Sequence, residues 1–263
     1  MLLVEKLNYE LNGRSLLKDV SFHMRKGEML AILGANGAGK STLLKVISGQ
    51  YQASSGLIYL NHQLIDEFNI HSLSKCRAML SQEFDLSLNF SVKEIVMMGR
   101  YPHFQSKPKK EDYTIVDEIM ALCGVDQLAK RSYLQLSGGE KQRVQLARVL
   151  SQIWDCPNGL LMLDEPTAAL DIQYQHRTLA IAKAMSRKGF MVLFIVHDVN
   201  SAVQYADRLL LLKNGRKLFD GPAYEVITRQ HIYTIFSVEA QVSISSKTLK
   251  PFVVFDEMEV LLP

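Results

Sequence analysis

Short, uniformly apolar runs alternate with amphipathic stretches in two parts of the chain. The first run, 29–33, ends at a glycine-rich loop, and two more occupy 160–163 and 191–196. Runs of this kind are typical of strands that are covered on both faces of a parallel sheet. The stretch 172–188 has helical spacing and lies between the last two runs, which predicts a βαβ unit. The pattern therefore indicates an α/β core.

Alternating segments with turn dipeptides accompany this core. Residues 1–28 alternate between apolar and polar positions, with turn signals at Asn12–Gly13 and Lys26–Gly27. Another strand is predicted at 57–60, and Asn214–Gly215 predicts the turn of a hairpin. The sequence thus predicts an antiparallel β subdomain beside a mainly parallel sheet.

Helical spacing replaces the strand pattern after about residue 86. Ser91 and Glu94 form a capping box that begins one helix. A second helix follows the polar stretch 105–112, and a third is predicted to start at Ser137. The predicted parts are a core of 1–85 and 159–263 with an inserted helical subdomain of 86–158, all within one domain of 1–263.

Composition and charge exclude several classes of protein. The net charge of +3, from 30 basic and 27 acidic residues, is too small to indicate nucleic-acid binding. No signal peptide is recognisable, and no apolar run approaches the roughly 20 residues of a membrane span. Any membrane role is therefore expected to be peripheral.

The three cysteines predict thiols rather than a disulfide or a metal site. Cys76, Cys123 and Cys156 lie far apart in sequence, with no CxxC pair. A scattered, odd-numbered set is typical of buried, reduced thiols in a cytosolic protein.

A phosphate-binding loop is predicted between the first apolar strand and the helix after it. Residues 34–41 match GxxxxGK[ST], a loop whose backbone N–H groups point at phosphate oxygens. Lys40 is expected to reach the β and γ phosphates of a nucleotide, and Ser41 to hold Mg²⁺. The alternative is a glycine-rich turn that matches by chance, and the flanking strand and helix argue against it. The predicted ATP-binding residues are Gly34, Ala35, Asn36, Gly37, Ala38, Gly39, Lys40, Ser41 and Thr42.

Carboxylates and a histidine follow the other apolar strands. Asp164 and Glu165 end the run 160–163, where ligands of open α/β sheets bind. We assign Asp164 to Mg²⁺ and Glu165 to the general base that orients the attacking water. His197 follows 191–196 at the same predicted edge and is expected to be catalytic, the alternative being a structural histidine. Gln82 follows a weaker strand, and its residue type alone leaves open a role toward Mg²⁺ and water.

A second capping box lies at Ser137 and Glu140. It leaves the N–H groups of Gly138 and Gly139 free at a helix N-terminus, which predicts a second anion site. One chain that binds one ATP does not need two such sites.

The motif LSGGE at 136–140, together with the phosphate loop, resembles the signature of ABC transporter ATP-binding subunits. The resemblance covers nearly the whole chain and implies the P-loop NTPase fold of an ABC ATPase. It assigns Gln82 to the Q-loop, Asp171 to the D-loop and His197 to the switch histidine. Two departures stand out: Glu140 replaces the commoner glutamine, and Leu11 aligns with the aromatic residue that usually stacks on adenine.

The resemblance also implies partners. The signature of one subunit would close over the γ-phosphate held by the other, so a homodimer would sandwich two ATP molecules with Mg²⁺. Two membrane permease subunits would be driven by this dimer at the cytoplasmic face of the bacterial inner membrane. A periplasmic substrate-binding protein would act indirectly, and nucleic acid is not an expected partner.

A narrower resemblance concerns the cargo. The segment 97–103 is similar to that of importers for iron-siderophore complexes, heme and vitamin B12, and the stretches 145–150, 152–154 and 173–176 are most like those of hemin importers. We expect an ATPase that powers heme import; a siderophore or vitamin B12 cargo stays open, as does the remoter class that acts on ribosomes or DNA. Histidines expected at the surface or in caps, not as heme ligands, are His62, His71, His103 and His231.

A docking surface for the permease is expected beside Gln82, because an apolar, methionine-rich stretch suits a partner helix. The alternative is that these residues form the core of the helical insert. They are Phe84, Leu86, Leu88, Phe90, Met97, Met98 and Tyr101. Lys107, Lys109 and Lys110 are expected to form a solvated connection, and the alternative is contact with anionic lipid headgroups.

Overall fold

A computed structural model describes residues 1–81 and 89–257. The strands in these ranges are β1 Leu2–Leu11, β2 Arg14–Met24, β3 Met29–Leu33, β4 Ser55–Leu60, β5 Gln63–Leu64, β6 Arg77–Leu80, β7 Leu160–Asp164, β8 Met191–Ile195, β9 Arg208–Lys213, β10 Arg216–Gly221, β11 Ala240–Ile244 and β12 Pro251–Phe255. The helices are α1 Lys40–Ile47, α2 Ile70–Cys76, α3 Val92–Met98, α4 Lys110–Cys123, α5 Gly138–Ile153, α6 Ile172–Arg187, α7 Val199–Tyr205, α8 Ala223–Val226 and α9 Arg229–Phe236.

The central sheet has six strands in the order β10-β9-β3-β8-β7-β6. All neighbours from β9 to β6 are parallel, and β10 is an antiparallel edge strand. Every residue of β3, β7 and β8 is buried, as the apolar runs predicted. The α/β prediction is confirmed, and the three strands end at one edge of the sheet.

Side-chain alternation divides the core into two layers across this sheet. Met29, Ala31 and Leu33 of β3 face a cluster shared with α3, α4, α5 and α6. Leu30 and Ile32 face a second cluster that contains α1 and the antiparallel sheet β2-β1-β4-β5. The period of two in a strand thus lets five consecutive apolar residues serve both layers.

Within 89–158, the described part of the predicted insert, the α-helices are α3, α4 and α5. The capping boxes at Ser91 and Ser137 are both formed, and α3 and α5 begin one residue after each. The helix α4 begins at Lys110, earlier than predicted, because Asp112 accepts a hydrogen bond from the Lys109 N–H and pairs with buried Arg100. The division of the chain into core and insert stays a prediction.

Some elements lacked a clear sequence signal. The helix α2 precedes β6 within the described part of the chain, and the hairpin β11–β12 follows α9. The Asn200 side chain of α7 donates a hydrogen bond to the Val253 carbonyl and accepts one from the Val253 N–H. These two bonds hold the hairpin against α7. Within 1–81 and 89–257, no helix combines the length and apolarity that a membrane crossing requires.

The expectation of three reduced thiols is wrong for two of them. Cys76, at the end of α2, and Cys156, between α5 and β7, form a disulfide with their Cα atoms 5.3 Å apart. Tertiary contact between segments 80 residues apart creates this pair, so sequence spacing could not reveal it. Cys123 is a buried free thiol as expected, and burial raises its pKa to about 12.

Thiol counting tests this disulfide. The denatured chain without reductant should expose one reactive thiol, that of Cys123, and reduction should release those of Cys76 and Cys156. Reduction should also lower the free energy of unfolding by roughly 2–4 kcal/mol, because the bridge restricts the unfolded chain. The control Cys123→Ala should expose none before reduction; three reactive thiols in the unreduced wild type would contradict the assignment.

Candidate active site

The loop between β3 and α1 closely approaches two other segments. A Cβ atom on Gly34 would lie 2.4 Å from the Leu212 carbonyl oxygen, and one on Gly39 would lie 2.8 Å from that of Leu16. Gly39 also has a φ of 101°, which side chains rarely adopt. A Cβ on Gly37 would meet nothing within 4 Å. The glycines therefore permit a tight turn against the core and leave the loop open on the other side.

Lys40, the first residue of α1, is only 6% exposed. Its ammonium group donates hydrogen bonds to the carbonyl oxygens of Gly34 (2.8 Å) and Ala35 (3.0 Å). Burial lowers the pKa of Lys40, and the carboxylates of Glu165 and Asp164 oppose that effect. The positive charge is thus held inside the loop.

Asp164 ends β7 and is 2% exposed. Its carboxylate accepts a hydrogen bond of 3.1 Å from the Ser41 hydroxyl. Burial raises the pKa of Asp164, and the bond from Ser41 partly offsets this. A hydroxyl oxygen and a carboxylate oxygen at this distance are hard donors of the kind that Mg²⁺ prefers, so the two residues fit the predicted metal role.

Glu165 and His197 are brought into direct contact. His197 Nε2 lies 2.7 Å from Glu165 Oε1. Asp164 pairs with Ile195 in the parallel ladder, which brings the ends of β7 and β8 together. Glu165 has a φ of 50°, a strained conformation for a glutamate that costs about 1–3 kcal/mol. Strain of this kind is common where a side chain must be aimed at a reacting group.

We call the space around these groups the phosphate cavity; its volume is about 480 Å³. Its lining residues are Leu16, Asn36, Gly37, Ala38, Gly39, Lys40, Ser41, Thr42, Glu165 and His197. All of them except Leu16 were predicted from sequence. Leu16 is a strand residue of β2 without a chemical signature, so sequence reasoning missed it.

The signature residues line a different space, the signature cavity, also of about 480 Å³. The Ser137 N–H donates to the Glu140 carboxylate at 2.8 Å, and the Glu140 N–H donates back to the Ser137 hydroxyl at 3.3 Å. The hydrogen bonds that the Ser137 backbone and side chain make to the Glu140 carboxylate lower its pKa. The lining residues are Ser137, Gly138, Gly139, Glu140, Arg143, Ala169, Leu170, Asp171 and Tyr174. The two cavities share no lining residue.

Asp171 caps α6 beside the signature glycines. Its carboxylate accepts a hydrogen bond of 3.0 Å from the Tyr174 N–H. Sequence reasoning missed Arg143 and Tyr174, although each follows a predicted residue, Glu140 or Asp171, by three positions. Residues three positions apart lie on the same side of a helix, so this spacing is a sequence signal from which Arg143 and Tyr174 could have been predicted.

Tyr9 of β1, two residues before Leu11, packs inside the protein. Its ring is 8% exposed and stacks on Tyr51, with centroids 5.3 Å apart and planes at 8°. Leu11 is 48% exposed, and its aliphatic side chain offers no ring for stacking on a base.

The structure separates the members of the predicted docking surface. Met97 is buried in the core, so the alternative interpretation is right for it, whereas Tyr101 is 58% exposed. Phe90 and Met98 are partly buried against the same core. Gln82, Phe84, Leu86 and Leu88 lie outside the described residues, and their roles stay predictions.

The four histidines have mixed environments. His62 and His71 are exposed, and the His231 N–H donates to Thr228, which caps α9. His103 differs from the expectation, because its ring is mostly buried and Nε2 lies 2.7 Å from the Gln152 carbonyl oxygen. Since a carbonyl can only accept, Nε2 donates and His103 has a structural role.

Comparisons with known proteins agree with the resemblance. A family model described as ABC transporter matches residues 17–168. The hemin import ATP-binding protein HmuV of Gloeobacter violaceus is 44% identical over 245 residues, 92% of this chain and 89% of that protein. HmuV of Pseudomonas aeruginosa is 42% identical over 255 residues, 97% of this chain and 99% of that protein.

A solved structure supports the fold. A chain of a metal-chelate type ABC transporter in an inward-facing conformation superposes with a TM-score of 0.82. It is 28% identical and covers 97% of this chain and 97% of its own length.

Lys40→Met tests the phosphate cavity. The variant should bind ATP about 10- to 100-fold more weakly, because it loses a charged hydrogen-bond donor to phosphate. Isothermal titration with a non-hydrolysable ATP analogue measures this. Lys93→Met, in the first turn of α3, is the matched control and should bind normally. Equal affinity of both variants would exclude a phosphate contact at Lys40.

Proposed function

This chain belongs to the ABC transporter family, and we propose that it hydrolyses ATP to power the import of hemin through a separate membrane permease. The contact between Glu165 and His197, beside the phosphate loop, is the observation that carries the hydrolytic part of this proposal. The names of the relatives carry the hemin part.

The polar groups in and beside the phosphate cavity have separate roles in hydrolysis. Backbone N–H groups of the loop and the Lys40 ammonium bind the β and γ phosphates. Ser41 and Asp164 would hold Mg²⁺, which neutralises phosphate charge when bound. The Glu165 carboxylate orients the attacking water and accepts its proton. His197 fixes the position of that carboxylate through the 2.7 Å contact.

Two chains are proposed to complete each site. The free N–H groups of Gly138 and Gly139 lie in the signature cavity, which shares no lining residue with the phosphate cavity of the same chain. In a head-to-tail homodimer the signature of one chain would bind the γ-phosphate held by the other. Such a dimer would hold two ATP molecules.

The membrane partners are also proposed. Two permease subunits would dock on the surface that includes Tyr101, and closure of the dimer on ATP would move them. The chain would lie peripherally at the cytoplasmic face of the inner membrane and receive cargo only indirectly, through a periplasmic binding protein. Gln82 is proposed to join Mg²⁺ and the attacking water.

Glu165→Gln tests the hydrolytic mechanism. The variant should bind ATP and accumulate as a closed dimer, and its turnover should fall about 10²- to 10⁴-fold, because an amide cannot accept the proton. Phosphate release and size-exclusion chromatography with ATP measure the two effects. Glu118→Gln, an exposed change on α4, is the control. Hydrolysis at the wild-type rate in Glu165→Gln would refute the base assignment.

The same substitution tests the cargo in the source bacterium. A chromosomal Glu165→Gln strain should fail to grow on hemin as sole iron source and should grow on an inorganic iron salt. Growth on hemin equal to that of the wild type would contradict hemin as the required cargo, and ferric siderophores and vitamin B12 would then be compared.

A pair of serines tests the signature. Ser137→Ala and Ser91→Ala each remove a capping hydroxyl, so each should lower the free energy of unfolding by about 1 kcal/mol. Only Ser137→Ala should also lower ATP hydrolysis by the permease complex, by about tenfold or more, because it alone borders the signature cavity. Equal rates for the two variants would remove the signature from the proposed site.

A further inference from the structure

Arg143 connects three helices beside the signature cavity. It lies in the second turn of α5, and its Nη1 donates a 2.7 Å hydrogen bond to the carbonyl oxygen of Gly124, which ends α4. Its Cζ lies 4.0 Å from the centroid of the Tyr174 ring, in the first turn of α6. A guanidinium group at this distance over an aromatic face is attracted by it, most strongly where water is excluded.

The Tyr174 ring and the Gly124 carbonyl together orient the Arg143 guanidinium. Arg143 Nε is buried and has no hydrogen-bond partner among the described residues. The ring of Tyr174 supplies attraction without a hydrogen bond, and the carbonyl of Gly124 fixes the other side. Arg177 of α6 donates to the Leu122 carbonyl at 2.9 Å, so two cations lie at the C-terminal end of α4, where the helix dipole favours them.

Tyr174 continues this connection into the turn that carries the catalytic carboxylate. Its N–H donates to Asp171, and the turn before Asp171 is closed by hydrogen bonds from Ala168 to Glu165 and from Leu170 to Thr167. These two bonds make 165–170 two successive turns between the end of β7 and the start of α6. Glu165 therefore lies at one end of this segment and Tyr174 just beyond the other.

The same turn packs against the signature glycines. A Cβ atom on Gly139 would lie 3.3 Å from the Ala169 carbonyl oxygen and 3.4 Å from a Leu170 methyl carbon. The N-terminus of α5 therefore lies against the turn 165–171 at Gly139. One helical turn further along α5, Arg143 contacts Tyr174, which follows the same turn.

We propose that the contact of Arg143 with Tyr174 is a positioning device that couples the signature to the catalytic turn of the same chain. Phosphate bound at the signature biases α5, and Arg143 transmits this through Tyr174 to the segment that begins at Glu165. This inference rests on the proposed ATP hydrolysis. Neither residue touches the reacting atoms of its own phosphate cavity.

Two substitutions of Tyr174 distinguish the role of the aromatic ring from that of the hydroxyl group. Tyr174→Phe keeps the aromatic face and should hydrolyse ATP within about twofold of the wild-type rate. Tyr174→Leu loses that face and should lower kcat roughly 3- to 10-fold in the complex with the permease. The Kd of the isolated chain for ATP should not change, because the phosphate cavity is intact. A merely structural role would not produce this difference between kcat and Kd.

Arg143→Met tests the contact from its other side and serves if Tyr174→Leu fails to fold. Arg143→Met also removes the hydrogen bond to the Gly124 carbonyl. The double variant should nevertheless lose no more kcat than Arg143→Met alone, because the contact with Tyr174 is already absent from that single variant. Tyr113→Leu is the matched control: it removes a ring 5.9 Å from the ammonium of Lys93, between α3 and α4, and should leave kcat unchanged.

The outcomes are separable from those of the proposed function. Equal kcat for Tyr174→Leu and Tyr174→Phe, or fully additive losses in the double variant, would overturn the coupling while wild-type hydrolysis continues. Absence of ATP hydrolysis by the wild-type complex would instead overturn the proposed function.

Discussion

In-register parallel pairing of β3, β8 and β7 is the constraint on which the site depends. Leu30 pairs with Leu193, and Leu163 pairs with Phe194, so the three strands reach the same edge of the sheet together. The phosphate loop follows β3, His197 follows β8, and the two carboxylates are the last residue of β7 and the residue after it. A slip of one residue would exchange the two faces of a strand and also move its terminal side chain, so the buried ladder fixes both the core and the chemistry.

Burial of charge at this edge has a cost that the surrounding groups partly offset. Burial lowers the pKa of Lys40 and raises that of Asp164, so each charged form is disfavoured by its environment. Each is also stabilised by the other's charge, and Lys40 donates to two loop carbonyls while Asp164 accepts from Ser41. A polyanionic ligand and a divalent cation would complete these interactions. The arrangement is therefore suited to nucleotide binding rather than to stability.

Two sets of interactions link the signature to this edge within one chain. Gly139 lies against the Ala169 carbonyl and the Leu170 side chain, and the guanidinium of Arg143 lies over the ring of Tyr174. Between these contacts and Glu165 lies a turn that is closed by hydrogen bonds from Ala168 to Glu165 and from Leu170 to Thr167.

The sequence by itself determined what depends on local order: the apolar runs, the capping boxes at Ser91 and Ser137, the phosphate loop, and the residue types at the strand ends. Each of these follows from spacing within a few residues, because strand periodicity, helix capping and glycine conformation are local properties. Only the tertiary structure decided what depends on segments distant in sequence. It joined Cys76 to Cys156, stacked Tyr9 on Tyr51, buried Met97 but exposed Tyr101, and placed Arg143 over Tyr174. These contacts arise from how helices and sheets pack, and no local pattern specifies which distant side chain will be the neighbour.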